Sequence, residues 1–340
     1  MGCGGMGVIH AGAAANDPRS QLCVAVDRVV EKAQDLADRF GGRATTEFQQ
    51  ALDDDRVDAV IIALPHSLHR DYCVQASRAG KHVIIEKPLS LTLQDADEMI
   101  AAARVARRIL LVAHVLRFVP NHRRVKDLID RGDLGKPFMA RYRNEHYPRL
   151  TPDRLGWLAR RGEGGVPLAG SIHHADLMRW WLGEVESVRG FERSWRNEWI
   201  REGQSDVSMI IYRFESGALG ETTYSYAALA SELNKRPNAV VSFEHGTVSV
   251  FPGEMRIFDA RKGGAVVVQA DVDGVSDHAT SPAAREVPHL TRCILDGEKL
   301  VIEPDEACRA VELILASTKS ARTGAEVGVL PMLPRGVGQA

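Results

Sequence analysis

Short apolar runs alternate with longer amphipathic stretches over the first third of the chain. Residues 22–26, 59–63, 82–85 and 109–113 are strand-sized and apolar with little polar interruption. Between them, Val30–Phe40 sets Ala33, Leu36, Ala37 and Phe40 on one face at helical spacing. Further helices are predicted over 8–15, 69–79 (closed by Gly80) and 92–106. Strands buried on both faces and separated by helices predict a parallel sheet covered by helices, an α/β doubly wound domain.

Beyond Arg117 the pattern changes. Residues 138–147 alternate one by one, and 185–195, 207–214, 217–226, 240–243, 247–251 and 266–268 read as short strands. Turn signals separate them, such as Glu215-Ser216-Gly217, His245-Gly246 and Lys262-Gly263-Gly264. This spacing predicts a mainly antiparallel open sheet. Helices over 171–181, 283–295 and 305–323 make the second unit α+β. The expected division is a dinucleotide-binding domain over 1–117, a substrate and oligomerisation domain over 118–328, and a tail over 329–340.

Charge narrows the partners. Of 340 residues 26% are charged, yet the formal net charge is −2, so no global field favours nucleic acid or an anionic membrane. The longest apolar runs are far shorter than the ~20 residues of a membrane helix. Five cysteines without a C-x-x-C pair read as reduced thiols in a cytoplasmic protein.

Gly2-Cys3-Gly4-Gly5-Met6-Gly7 spells G-x-G-x-x-G before a helix-compatible stretch. In that pattern the first glycine allows a tight turn, the second lets backbone approach a pyrophosphate, and the third allows close helix–strand packing. Asp27 ends the next strand, where an acid grips the adenosine ribose. Its carboxylate favours NAD over NADP, a preference that Arg28 softens. The loop should follow a buried central strand, but only Met1 precedes it. The expectation is therefore a misassigned or truncated start, with extra residues ending in an apolar strand.

Glu86-Lys87-Pro88 follows the strand 82–85 at its carboxyl end, where open α/β sheets bind ligands. Partial burial can bring a lysine there into a catalytically useful range. Gly2–Gly7, Asp27, Ala63-Leu64-Pro65 with His66 and His69, and Glu86-Lys87-Pro88 together resemble the successive motifs of the Gfo/Idh/MocA oxidoreductases. The resemblance continues through Arg117-Phe118-Val119-Pro120, Gly164-Gly165, His173, Asp176-Leu177, Arg179-Trp180 and Leu182-Gly183, covering nearly the whole chain. It implies a Rossmann domain plus a mainly antiparallel domain, and hydride exchange between a sugar-like carbinol and a nicotinamide. It also implies that Leu64, Pro65, His66, His69, Glu86 and Lys87 line the cofactor, with Lys87 facing substrate as well.

Ser171-Ile172-His173-His174-Ala175-Asp176 opens a helix-compatible run. From the residues alone His173 is a general base, a metal ligand with His174 and Asp176, or a helix-start residue. The resemblance implies the catalytic histidine at His173, and fold support for Asp176. The family often carries an Asp four residues earlier, where this chain has Ala169.

The resulting expectation is an NAD(P)-dependent dehydrogenase of a sugar, cyclitol or related polyol, using Lys87 and His173. Arg117, Asn121, Arg154 and Trp157 are candidate substrate contacts, and no metal is expected. A homodimer or homotetramer through the C-terminal sheet is expected. The alternatives are a glycoside-cleaving enzyme using NAD without net redox change, which Ala169 keeps open, and a non-catalytic dinucleotide sensor.

Overall fold

The structure is a computed structural model of the chain, describing residues 1–145, 157–158, 162–165, 167–195, 205–227, 236–269 and 281–329. Helix α1 (Gly5–Asn16) leads into strand β1 (Val24–Val26), helix α2 (Val30–Phe40), strand β2 (Arg43–Thr45) and helix α3 (Phe48–Leu52). Then come β3 (Ala59–Ile62), α4 (His69–Arg78), β4 (His82–Ile85), α5 (Leu93–Val105) and β5 (Leu110–Val112). The β2–α3 pair escaped the pattern because three and five residues are too few for a period to declare itself.

All pairings in this half are parallel, but they fall into two sheets, β1–β2 and β3–β4–β5. The backbone of Met1 and Gly2 bridges them. The Met1 amine donates to the Ile61 carbonyl, its carbonyl accepts from Ala63, and the Gly2 amide donates to the Val26 carbonyl. Behind this bridge lies a cavity of about 550 Å³. It is walled by Val24–Val26 of β1, Ala59–Ile61 of β3 and Ala11 and Ala14 of α1. The cavity has the edges of β1 and β3 on either side.

After α6 (Pro120–Arg131), the second half builds strands β6 (Pro137–Glu145), β7 (Val185–Arg193), β8 (Val207–Phe214), β9 (Leu219–Ser225), β10 (Ala239–Phe243), β11 (Gly246–Phe251), β12 (Glu254–Asp259), β13 (Gly264–Gln269) and the short β14 (Val327–Gly328). They form one sheet in the order β13-β12-β11-β10-β6-β9-β8-β7-β14, antiparallel except for β6–β9. On β8, Ser208, Ile210, Tyr212 and Phe214 face inward and are buried, while Met209 and Ile211 are exposed. Helix α7 (Ile172–Leu182) and helix α9 (Pro304–Thr323) cover the inner face. Helix α6 and strand β12 also escaped the pattern.

The C-terminal helices do not stay with the second unit. Helix α8 (Glu286–Leu295) packs on α1 and β4, and α9 reaches α5 and β5 as well as β7. Sequence order alone, as in a boundary at 117, does not show this return.

Candidate active site

The glycine loop is shaped by contacts that admit no side chain. Gly2 sits at φ +87°, and a Cβ there would lie 2.2 Å from the Ala63 carbonyl oxygen. A Cβ on Gly7 would meet the Gly2 oxygen at 2.0 Å. Gly4 and Gly5 are exposed and would meet nothing, and no side chain caps α1 at Gly4. The first turn of α1 carries no acid, so its free N–H groups form a cradle suited to a pyrophosphate. Met6 is partly buried in that turn. Asp27 is held rigidly beside it, taking hydrogen bonds from the Cys3 amide (2.8 Å) and the Val29 amide (2.9 Å). Arg28 is exposed next to it. This donor set and open backbone fit a dinucleotide.

Leu64, Pro65, His66 and His69 follow β3 at its carboxyl end. His66 Nδ1 donates to the Glu163 carbonyl (2.8 Å), and the Glu163 carboxylate accepts from the Ser67 amide and hydroxyl. Trp157 meets the His66 ring edge-on at 4.8 Å. Burial, aided by His69 and Lys87, pushes His66 down to about 3. His69 lies between the carbonyls of Pro88 (2.9 Å) and Leu64 (3.0 Å), and burial favours its neutral form. Glu163 had no signal in the sequence: it precedes Gly164-Gly165 and meets Ser67 only through the fold.

Lys87 leaves β4 into the same crevice and donates to the Ala169 carbonyl at 2.7 Å. Position 169, which lacks the family's carboxylate, therefore still holds this lysine through its backbone. Burial lowers the Lys87 ammonium's proton affinity, against the pull of Glu86 and Glu286. Glu86 is buried and bonded to His10 Nε2 at 3.0 Å.

His173 stands on the first turn of α7, partly buried, with its ring 6.2 Å from the buried ring of His114. Burial, then Lys87, His114 and His174, holds it well below the ordinary histidine range. It is thus a neutral acceptor at neutral pH.

Among the described residues, His173, His174 and Asp176 do not form a set of converging ligands. His174 is fully buried against Tyr142 and Tyr224. Asp176 accepts from Arg117 Nε (2.9 Å) and Nη2 (2.8 Å). Arg117 is 1% exposed and also donates to the Val301 carbonyl and Glu306, so its guanidinium clamps the two halves rather than facing the crevice. Asn121 is buried at the start of α6, and Arg154 lies outside the described residues.

Comparisons with known proteins agree with this geometry. Residues 1–114 match the model of an oxidoreductase family with an NAD-binding Rossmann fold, and residues 122–249 match the C-terminal domain model of the same family. The chain is 29% identical to scyllo-inositol 2-dehydrogenase (NAD(+)) of Bacillus subtilis over 96% of its length and 94% of that protein's. It is 38% identical to 1,5-anhydro-D-fructose reductase of Ensifer adhaerens, over 53% of this chain and 54% of the reductase, so about half of that relative is spanned. The fold matches levoglucosan dehydrogenase in complex with NADH and levoglucosan at a TM-score of 0.85 and 22% identity, covering 96% of this chain and 97% of that one. With its glycine cradle, its crevice lysine and both domain models in register, the chain belongs to the Gfo/Idh/MocA family of NAD-binding oxidoreductases.

Proposed function

We propose that the protein is a dehydrogenase or reductase exchanging a hydride between NAD and a hydroxyl-bearing carbon of a sugar, cyclitol or related polyol. The observation that carries this reading is the meeting of Lys87, held by Ala169, with neutral His173 at the carboxyl edge of β3–β5, beside the open glycine cradle. The bound nicotinamide supplies the hydride-accepting carbon. Lys87 donates a hydrogen bond to the reacting hydroxyl and orients it. His173 accepts the hydroxyl proton. Gly2, Gly4, Gly5, Met6 and Gly7 hold the pyrophosphate. Asp27 takes the ribose and disfavours a 2′-phosphate, so NAD is preferred. Leu64, Pro65, His66, His69 and Glu86 complete the cofactor wall. Asn121, Trp157 and Arg154 are the substrate contacts of this reading, whereas Arg117 acts through its clamp on Asp176.

Two further features belong to the proposal. The outer face of the long sheet exposes Phe191, Met209, Ile211 and Leu219, with Phe191 directly opposite Met209. Covering that apolar face favours a homodimer or homotetramer. Five thiols outside any disulfide favour the reducing cytoplasm. No helix among the described residues is long and apolar enough to cross a membrane.

The test is a panel of polyols and sugars assayed with NAD and NADP at the absorbance band of reduced nicotinamide. Net NADH formation supports the dehydrogenase. Product release without it points to transient redox at a glycosidic bond, and binding without turnover points to a sensor. Lys87→Ala is expected to abolish turnover while keeping most NAD affinity. His173→Ala is expected to slow turnover by about 10²–10⁴, the range for a lost general base.

A further inference from the structure

Beside the lysine, three buried side chains from three elements converge. His10 comes from the middle of α1, Glu86 from the end of β4, and Glu286 from the first turn of α8. One ligating atom from each lies within 4.8 Å of the others. His10 Nε2 is 3.0 Å from Glu86 Oε1 and 3.8 Å from Glu286 Oε2. Glu286 is 0% exposed, and neither of its carboxyl oxygens has a hydrogen-bond partner.

An ionised carboxylate in that position would be a second negative charge without a hydrogen bond in a water-poor interior, the costliest arrangement such a group can adopt. The polar groups facing it are His10 from α1 and Glu86 and Lys87 just after β4, with Arg285 preceding it on its own segment and donating to the Phe118 carbonyl. Lys87 and ionised Glu86 already balance one another. A single proton on Glu286 removes the excess charge. A dication could also neutralise the group, but His10 and Glu86 are already at hydrogen-bond distance, Lys87 is a nearby cation, and no fourth donor joins them among the described residues.

We propose that Glu286 is a positioning residue for Lys87: it keeps its proton at neutral pH, and its ionisation in alkali tightens the hold on the lysine's proton. The proposal rests on the catalytic role of Lys87 given above and assigns Glu286 no contact with substrate. Lys87 donates to the Ala169 carbonyl and has the neutral His66 and His173 nearby, whereas the carboxyls that act on it are Glu86 and Glu286. Burial first, and then Glu86, pushes Glu286 well above the ordinary carboxyl range, while Lys87 opposes.

The direction of linkage follows. A carboxyl whose folded affinity for protons is raised lends stability below its unfolded value of 4.5, and that stability is lost as pH rises through the folded value. Glu286→Gln, an isostere of the protonated acid, removes this loss. The thermal midpoint of E286Q is therefore expected to gain on wild type steadily as pH rises from 5 to 9. In full-length wild type, the infrared carbonyl band of a protonated carboxyl should persist at pH 7, disappear in alkali and be missing from E286Q. In turnover, E286Q should keep the plateau kcat within about twofold and move the Lys87 midpoint of the pH profile to lower pH.

A flat difference between the two melting profiles, or no protonated band at pH 7 in wild type, overturns the proposal. So does one equivalent of divalent metal retained by the purified protein. If E286Q does not fold, the wild-type infrared titration still decides. Both physical readouts are taken without substrate, so they stand or fall separately from the dehydrogenase activity.

Discussion

The two sheets of this protein solve the same packing problem to different degrees. In the C-terminal sheet, nine strands pair continuously, and β6, β8 and β9 each have a neighbour on both sides. In the N-terminal half, five short strands are split into sets of two and three, joined through the backbone of Met1 and Gly2. Parallel strands depend on their central members, since helices cover the faces and only neighbouring strands satisfy the edges. The first half relies on help from elsewhere: α8 covers α1 and β4, and the Arg117–Asp176 pair ties the halves together. The hydrogen bond from Lys87 to the Ala169 carbonyl spans the two halves at the candidate site.

A large effect should come from cutting that tie. Asp176→Asn removes the buried carboxylate that takes two of the Arg117 bonds, leaving the partly exposed Glu306 as its acidic partner, and is expected to cost about 3 kcal/mol, read by urea denaturation. A loss well under 1 kcal/mol would mean that the halves stand independently.

Filling the cavity between β1 and β3 should act in the opposite direction. Fusing an apolar strand of about five residues directly before Met1 is expected to stabilise the first half by about 3 kcal/mol, burial of several side chains outweighing the entropy of ordering them. An unchanged urea midpoint would show that the cavity between β1 and β3 does not accept a strand.

Core truncations sharpen the contrast. Ile210→Ala, in the continuous sheet, should cost about 3–4 kcal/mol, because its well-packed neighbours leave a new cavity. Ile61→Ala, on the wall of the existing cavity, should cost about 1 kcal/mol, since fewer contacts are lost. Equal costs would erase the distinction between the halves.

The most gradual effect is the response to acid. His66, in the first half, is pushed down to about 3 and His122, in the second, to about 4, both chiefly by burial. Each is neutral when folded and takes a proton near 6.5 when unfolded. Stability should therefore fall as pH drops below 6.5, by up to about 1.4 kcal/mol per pH unit for each histidine until its folded value is reached. His122→Gln and His66→Gln should each flatten that decline. Melting curves between pH 7 and 5 check this.

Much of the outline could be read before any coordinates. Continuous apolar runs marked β3, β4 and β5, alternation marked β6, and short strands between turn signals marked β7 to β9. The glycine loop and Asp27 stood out by their spacing, whereas the Glu-Lys-Pro turn and His173 became candidates only through the resemblance of the ordered motifs to the family. Elements too short to show a period, β2 and α3, were not. Arg117 looked like a crevice residue because a lone arginine carries no mark of its partner, and Asp176 is 59 positions away.

What the sequence by itself determined is local: which segments are strands or helices, where backbone must pass without a side chain, and which residue types stand at strand ends. Tertiary structure alone decided the long-range meetings. These are Lys87 with the Ala169 carbonyl, Glu163 with Ser67 and His66, and His10 with Glu86 and Glu286. The physical reason is that a polar side chain's state depends on burial and on what faces it. Both are set by elements distant in the chain, and no spacing along the chain records them.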